Sequence, residues 1–329
     1  MTILRAEQQF RAEEERLDAR CPLTYTWQYV SHKDDLRALY EKAKREQWNG
    51  AVELDWTIDV DPESEILPEA NNPIFGSPIW EKLTRAEQLR FRRESYAWML
   101  SQFLHGEQGA LLTAAQIVDT VPWIDAKFYA ATQVMDEARH VEVYERYLRE
   151  KVETSYAVNP NLKTLLDQVL TDPRWDMKYL GMQILIEGLA LASFRMIHDF
   201  TGEPLIKQLI HYVMRDEARH VAFGVLSLRE FYASELSERE RREREEFTFE
   251  AARLMRDRLV GVEVYERMGL PVEECKRITL ESAVMKEFRK FLFARVVPNV
   301  KRLGLLSPWL KERFAELDIL KFEEFPPDA

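Results

Sequence analysis

A glutamate and a histidine three residues apart on a helix share one face, so a Glu-x-x-His pair can bring a carboxylate and an imidazole to one divalent metal ion. This chain carries the pair twice, inside a repeated hexapeptide: Asp136-Glu137-Ala138-Arg139-His140-Val141 recurs as Asp216-Glu217-Ala218-Arg219-His220-Val221. Each copy lies downstream of a lone glutamate in a glycine-flanked apolar run, Glu107 in GEQGALL and Glu187 in IEGLALA. The separations agree, since 187 minus 107, 217 minus 137 and 220 minus 140 all give 80. One Glu-x-x-His on a charged helix is ordinarily a solvated pair, but a duplicated set with a matching upstream glutamate is hard to obtain that way. The order Glu, Glu-x-x-His, Glu, Glu-x-x-His is the arrangement by which four helices hold two metal ions. Glu107, Glu137, His140, Glu187, Glu217 and His220 are therefore the expected ligands, and the four glutamates carry the catalysis.

Iron and manganese accept mixed carboxylate and imidazole ligands, so two Fe ions are expected, and Mn/Fe or Mn suits the same set. Four carboxylates against two divalent ions also cancel a charge that would be prohibitively costly to bury alone. Asp136 and Asp216 are candidates to accept the second N–H of a histidine, each serving the other motif's ring, with Arg139 and Arg219 neutralising them. Phe103, Leu104, Gly109, Leu111, Gln183, Leu191, Phe194 and Val213 recur at helical spacings that face the metals, an apolar lining that suits a hydrophobic substrate, with Gly109 leaving it room. His105, His198 and His211 read as core or surface residues; His198 shares the face of Glu187 but lies about 16 Å along the axis.

The elements that must position these residues are helices. Thr84-Arg85-Ala86-Glu87 is a capping box that opens a helix to about Val118. Pro122 starts a second to about Glu150, Asp172-Pro173 a third to about Phe200, and Pro204 a fourth to about Tyr232. A second capping box, Ser237 to Glu240, opens a helix to about Met268, stopped by Gly269 and Pro271, and another runs to Val297 before Pro298. Shorter helices cover roughly 32–46, 160–171 and 308–317. Residues 47–80, with Pro62, Pro68, Pro73 and Pro78, predict a long ordered wrap pinned by Trp48, Trp56 and Trp80 that covers something. Its DVDPES run imitates a calcium loop, but Ser64 stands where glycine is needed and Ala70 where the closing glutamate belongs, which excludes calcium there.

The fold class is thus all-α: a four-helix bundle core over 81–235, preceded by N-terminal helices and the wrap over 1–80, and followed over 236–329 by accessory helices of the same domain. The net charge of −11 disfavours nucleic acid and anionic membranes as partners. No uncharged apolar stretch approaches the ~18 residues of a membrane span. The charged N-terminus has no signal-peptide core, and Cys21 and Cys275 lack metal spacing, so a reducing cytoplasm is the expected location.

Over residues 80–232 these motifs resemble the ferritin-like superfamily, and within it the ribonucleotide reductase small subunit, the related ligand-binding oxidases and the hydroxylases of bacterial multicomponent monooxygenases. The tandem Asp-Glu-x-Arg-His is most similar to the monooxygenases, and WEKLTRAEQ…FLHGEQ to the reductase-type oxidases. The resemblance implies Glu107, Glu137 and His140 on one metal and Glu187, Glu217 and His220 on the other, with glutamates bridging. It implies an O2-activating oxygenase or oxidase acting on a small, apolar organic molecule, with electrons from a ferredoxin or flavin reductase, in a homodimer. Three departures stand out. Gly109 and Met182 occupy the valine and tyrosine positions of the oxidases' cross-link, which cannot form here. Val213 stands where aryl-amine N-oxygenases add a third histidine. Tyr144 matches the radical tyrosine of reductase small subunits, which keeps open a radical-generating role, and a non-catalytic iron-binding protein is the other alternative.

Overall fold

The computed structural model describes residues 14–61 and 66–326, and all regular elements among them are helical. Four long helices form the core: α3 (Arg85–Thr120), α4 (Ile124–Tyr147), α6 (Trp175–Phe200) and α7 (Pro204–Ser234). Helices α3 and α4 pack side by side, the C-terminal half of α6 packs on α7, and α4 crosses α7. Before them come α1 (Asp34–Arg45), which lies across α4 and α7, and the short α2 (Pro78–Lys82). Helix α5 (Pro160–Thr171) bridges the two halves.

Both capping boxes form. Thr84 accepts from Glu87 N at 3.3 Å while Glu87 accepts from Thr84 N at 2.8 Å, and Ser237 and Glu240 repeat the exchange at 3.3 and 2.9 Å. Two proline starts are displaced. Pro122 lies before the N-cap Trp123, and Asp172-Pro173 forms the turn ahead of α6, where Asp172 accepts from Arg174 N at 2.9 Å. Of the three prolines expected to open core helices, Pro204 alone takes the first helical position.

The C-terminal helices are more broken than the periodicity predicts. Helix α8 (Glu238–Asp257) ends in a 3₁₀ turn over Arg258–Val260 at Gly261, whose φ of 67° is left-handed, before α9 (Val262–Met268). The expected single helix to Val297 is instead α10 (Val272–Glu281), α11 (Ala283–Phe291) and α12 (Val296–Arg302), followed by α13 (Pro308–Glu316). Pro298 does not stop α12; it sits in its first turn, where the missing N–H costs nothing.

The wrap is ordered by its tryptophans. Trp56 donates to Gly50 O at 2.7 Å with Arg146 over its ring, and buried Trp80 packs edge-on to Phe91. Pro62 and the Glu63 and Ser64 of the calcium-like run lie outside the described residues, as do residues 1–13 of the N-terminus.

Helix α6 is long and apolar enough to cross a membrane by length and composition, with 78% of its apolar window buried inside the protein. Asp176, Lys178 and Glu187 interrupt the run, so an uncharged stretch does not reveal it, but a core helix surrounded by protein is apolar on nearly every side. Within it, Leu180–Ile186 forms a π-helical segment that ends at Glu187. Such widened turns reset the register of the residues that follow them, and they concentrate at functional sites.

Candidate metal centre

The six expected ligands come from α3 (Glu107), α4 (Glu137, His140), α6 (Glu187) and α7 (Glu217, His220), and all are buried. They form two groups that could each hold an ion, Glu107–Glu137–His140–Glu217 and Glu137–Glu187–His220. Nδ1 of His140 lies 3.3 Å from Glu107, 3.2 Å from Glu137 and 3.2 Å from Glu217. Nδ1 of His220 lies 3.1 Å from Glu137 and 3.4 Å from Glu217. Glu137 and Glu217 thus each present one oxygen to either imidazole, the position of a bridge, while Glu107 and Glu187 stand at the two ends.

The Nε2 atoms point the other way, to the repeat's aspartates in crossed fashion. His140 meets Asp216 at 3.2 Å and His220 meets Asp136 at 3.3 Å. Arg139 and Arg219 each bond to both aspartates. The segment after α1 closes this outer layer: Trp48 Nε1–H donates to Asp216 at 2.6 Å, Gln47 donates to Asp136 at 2.9 Å, and Arg219 donates to Glu46 at 2.9 Å. The wrap therefore buries the back of the centre.

Charge in this layer is finely opposed. Burial, then the neighbouring Glu217, pushes Glu107 and Glu187 well above the usual carboxylate range. Burial acts on Glu137 in the same sense, but His220 and His140 outweigh it and hold its pKa below the ordinary value. Both imidazoles resist burial and are raised, His140 by its bonds to Asp216 and Glu107, His220 by the charges of Glu137 and Glu217. Glu187 Oε2, both oxygens of Glu217 and Nδ1 of His220 are buried with no hydrogen-bond partner among the described residues. Unpaired donors and acceptors at this depth are costly. Four carboxylates, two imidazoles and these unused atoms are the donor set of two Fe or Mn ions, so the residues fit such a pair.

The two ends of the centre differ, and the repeat shows where. Four residues before Glu107 stands Phe103, but four before Glu187 stands Gln183; four before Glu217 stands Val213, but four before Glu137 stands Gln133. Gln133 donates to both Glu137 and Glu187 at 2.9 Å and accepts from Gln183 at 3.3 Å, making one end polar. At the other end Phe103 packs edge-on to Phe194 at 4.8 Å, with Tyr144 and Val213 in the same apolar cluster. Phe103 also lines a cavity of about 730 Å³ between α3, the end of α6, α11 and the wrap.

The matching family model is that of p-aminobenzoate N-oxygenase AurF, over residues 31–304. The chain belongs to the AurF family. AurF-family membership makes it an oxygenase, and the fold agrees with solved structures of R2-like ligand-binding oxidase. One with an aerobically reconstituted metal cofactor after photoconversion superposes with a TM-score of 0.52 at 18% identity, covering 81% of this chain and 92% of that one. A mutant with an anaerobically reconstituted Mn/Fe cofactor gives 0.51 at 18%, covering 83% and 93%. No match was found among curated proteins.

Within this AurF-family chain several sequence readings need correction. Gly109 leaves no room for a ligand, because a Cβ there would lie 2.4 Å from Leu166; the glycine lets α5 pack on α3. Leu104, Leu111 and Leu191 are only half-buried, because the apolar stripe on these helices is broader than the strip that faces the metals. The reading of the other histidines as core or surface residues needs no correction: His105 bonds to Tyr156 O, His198 lies beside Asp199, and His211 is exposed. Gln133 and the outer-layer role of Trp48 escaped the sequence: Gln133 has no counterpart in the second repeat, and Trp48 lies far from either motif in the chain.

Proposed function

We propose that this AurF-family chain oxidises a small, largely apolar organic molecule with O2, the substrate reaching the metals from the Phe103 end. The observation that carries this is the broken repeat symmetry: glutamines close one end of the centre, whereas Phe103 and Val213 leave the other apolar and beside a cavity of about 730 Å³. A volume of that order suits a small-molecule site.

Two redox-active ions held by the six ligands would supply the electrons that activate O2. The chain's own residues fix the geometry. Asp136 and Asp216 keep the Nδ1 atoms facing inward, the opposing imidazoles and then the arginine pair hold the aspartates ionised, and Gln133 orients Glu137 and Glu187. Phe103, Phe194 and Tyr144 exclude water from the substrate end. The family model's named substrate makes an N–H bond one candidate for oxidation, and the Val213 departure leaves a C–H bond the other. Electrons come from a ferredoxin or flavin reductase, and the enzyme works as a cytoplasmic homodimer.

Tyr144 is fully buried one turn past His140, and among the described residues its hydroxyl has no hydrogen-bond partner. Loss of an electron from tyrosine requires a proton acceptor in reach, so this geometry favours a packing role over a radical one. The test is single-turnover O2 uptake by ferrous-loaded protein with labelled O2, using aniline as the probe. Incorporation of label into the probe is the expected result, and no O2 uptake by fully loaded protein would contradict the reading.

A further inference from the structure

Three departures from the internal repeat fall at one place. Gln133, Gln183 and Gly224 are all buried, and their counterparts 80 residues away are Val213, Phe103 and Tyr144. Gly224 gives Gln183 its position, because a Cβ there would lie 2.8 Å from the Cβ of Gln183. The π-helical segment Leu180–Ile186 carries Gln183 and ends at Glu187, and its widened turns set the two side chains on one face of α6.

The amides can be accounted for atom by atom, each having two N–H donors and one carbonyl oxygen. Both donors of Gln133 are spent, one on Oε1 of Glu137 and one on Oε1 of Glu187, at 2.9 Å each. Its oxygen accepts from Nε2 of Gln183 at 3.3 Å. Reversed, Gln133 would set its oxygen against two carboxylates and its N–H groups against that of Gln183, so Gln183 decides which way Gln133 faces. It does so although its own Oε1 is buried with no partner among the described residues, a costly arrangement to keep for packing alone.

We propose that Gln183 is a positioning residue: through Gln133 it keeps Oε1 of Glu187 engaged, so that Glu187 offers the ion beside His220 a single oxygen and a coordination position there stays open for a small exogenous ligand. Oε2 of Glu187 is the oxygen left buried and unpaired, as a single-oxygen ligand would be. Glu107 at the other end has no such restraint. Phe103 stands in place of the amide, and among the described residues the carboxylate of Glu107 bonds only to His140, which leaves both its oxygens free to chelate. The protein's part in a metal site is to fix the coordination number, and a metal that reacts needs an unfilled position. The use of that position for O2 rests on the oxygenase reading, whereas the clamp itself requires only the two ions.

Azide titration of the iron-loaded, oxidised full chain, followed by azide-to-iron charge-transfer absorption, tests this. The wild type should bind azide saturably. Gln133→Met and Gln183→Met should bind it about ten-fold or more weakly at an unchanged two irons per chain and an unchanged melting temperature, because the released oxygen of Glu187 fills the open position. A crystal structure of the loaded wild type should show one oxygen of Glu187 on the ion, and that of loaded Gln183→Met both. No azide binding by the wild type, equal affinity in wild type and both variants, or two Glu187 oxygens on the wild-type ion would overturn the proposal. So would a fall in affinity that only follows loss of iron or of melting temperature, which would assign the amides to the fold. The predicted azide pattern in a protein that takes up no O2 would sink the oxygenase reading and leave the clamp standing.

Discussion

The carboxylate of Asp216 lies 3.2 Å from Nε2 of His140, so the aspartate of the second repeat orients the histidine of the first. Asp136 does the same for His220 at 3.3 Å. The two halves of the duplication are thereby locked to each other through the outer layer as well as through Glu137 and Glu217, each of which faces both imidazoles.

Asp216→Asn keeps the shape but removes the charge that holds the His140 ring in one tautomer and orientation. Metal affinity should fall by something like 10–100-fold with the helical content unchanged, measured by competition with a chelator. Trp48→Phe should lower affinity in the same direction but less, because it removes only one donor to Asp216. Unchanged affinity in both variants would show that the crossed pairs decorate the bundle without tuning the metals.

Gly109→Ala should destabilise the protein by about 1–3 kcal/mol in urea unfolding, since the new methyl meets Leu166 at 2.4 Å in a packed interface. Gly106→Ala is the control. Nothing lies within 4 Å of its added carbon, and a helical glycine replaced by alanine gains about 0.5–1 kcal/mol. Equal behaviour of the two variants would mean that Gly109 is not there for the α3–α5 contact.

The cluster drawn from residues 107 to 220 was legible because a pair of metal ions would impose a spacing on its candidate ligands, and such a spacing survives in the sequence as a repeat of 80. The crossed aspartates followed from the same repeat. What the repeat hid is where it breaks. Gln133 answers to Val213, Phe103 to Gln183, and Tyr144 to Gly224, where a Cβ would lie 2.8 Å from Gln183. These substitutions give the centre its polar and apolar ends, and only the placement of the helices reveals which end each residue faces. The kinks at Gly261 and after Phe291 were hidden too, because local periodicity continues across them while tertiary packing redirects the chain.

The metal-free protein should lose stability as pH rises through neutrality. Glu107, Glu187, His140 and His220 all have raised pKa values, so the folded state binds more protons than the unfolded one. Their contribution is fully present below the unfolded values, about 4.5 and about 6.5, and is lost as pH climbs through the folded ones. Glu137, Asp136 and Asp216 are lowered and act oppositely, but their stability is lost only on acidification below about pH 4. From about pH 6 to pH 8.5 the melting temperature of the metal-free protein should therefore fall, whereas that of loaded protein should stay nearly level, the metals having displaced the protons. A metal-free protein that gains stability over this range would show that these groups do not govern it.

The central claim is that the duplicated residues hold two metal ions, and anomalous scattering from crystals loaded with iron and manganese, collected at both absorption edges, tests it most directly. The account predicts two peaks, one among Glu107, Glu137, His140 and Glu217 and one among Glu137, Glu187 and His220, with the second lost in His220→Ala. A single peak outside these residues, or none in protein shown by elemental analysis to carry metal, would contradict it.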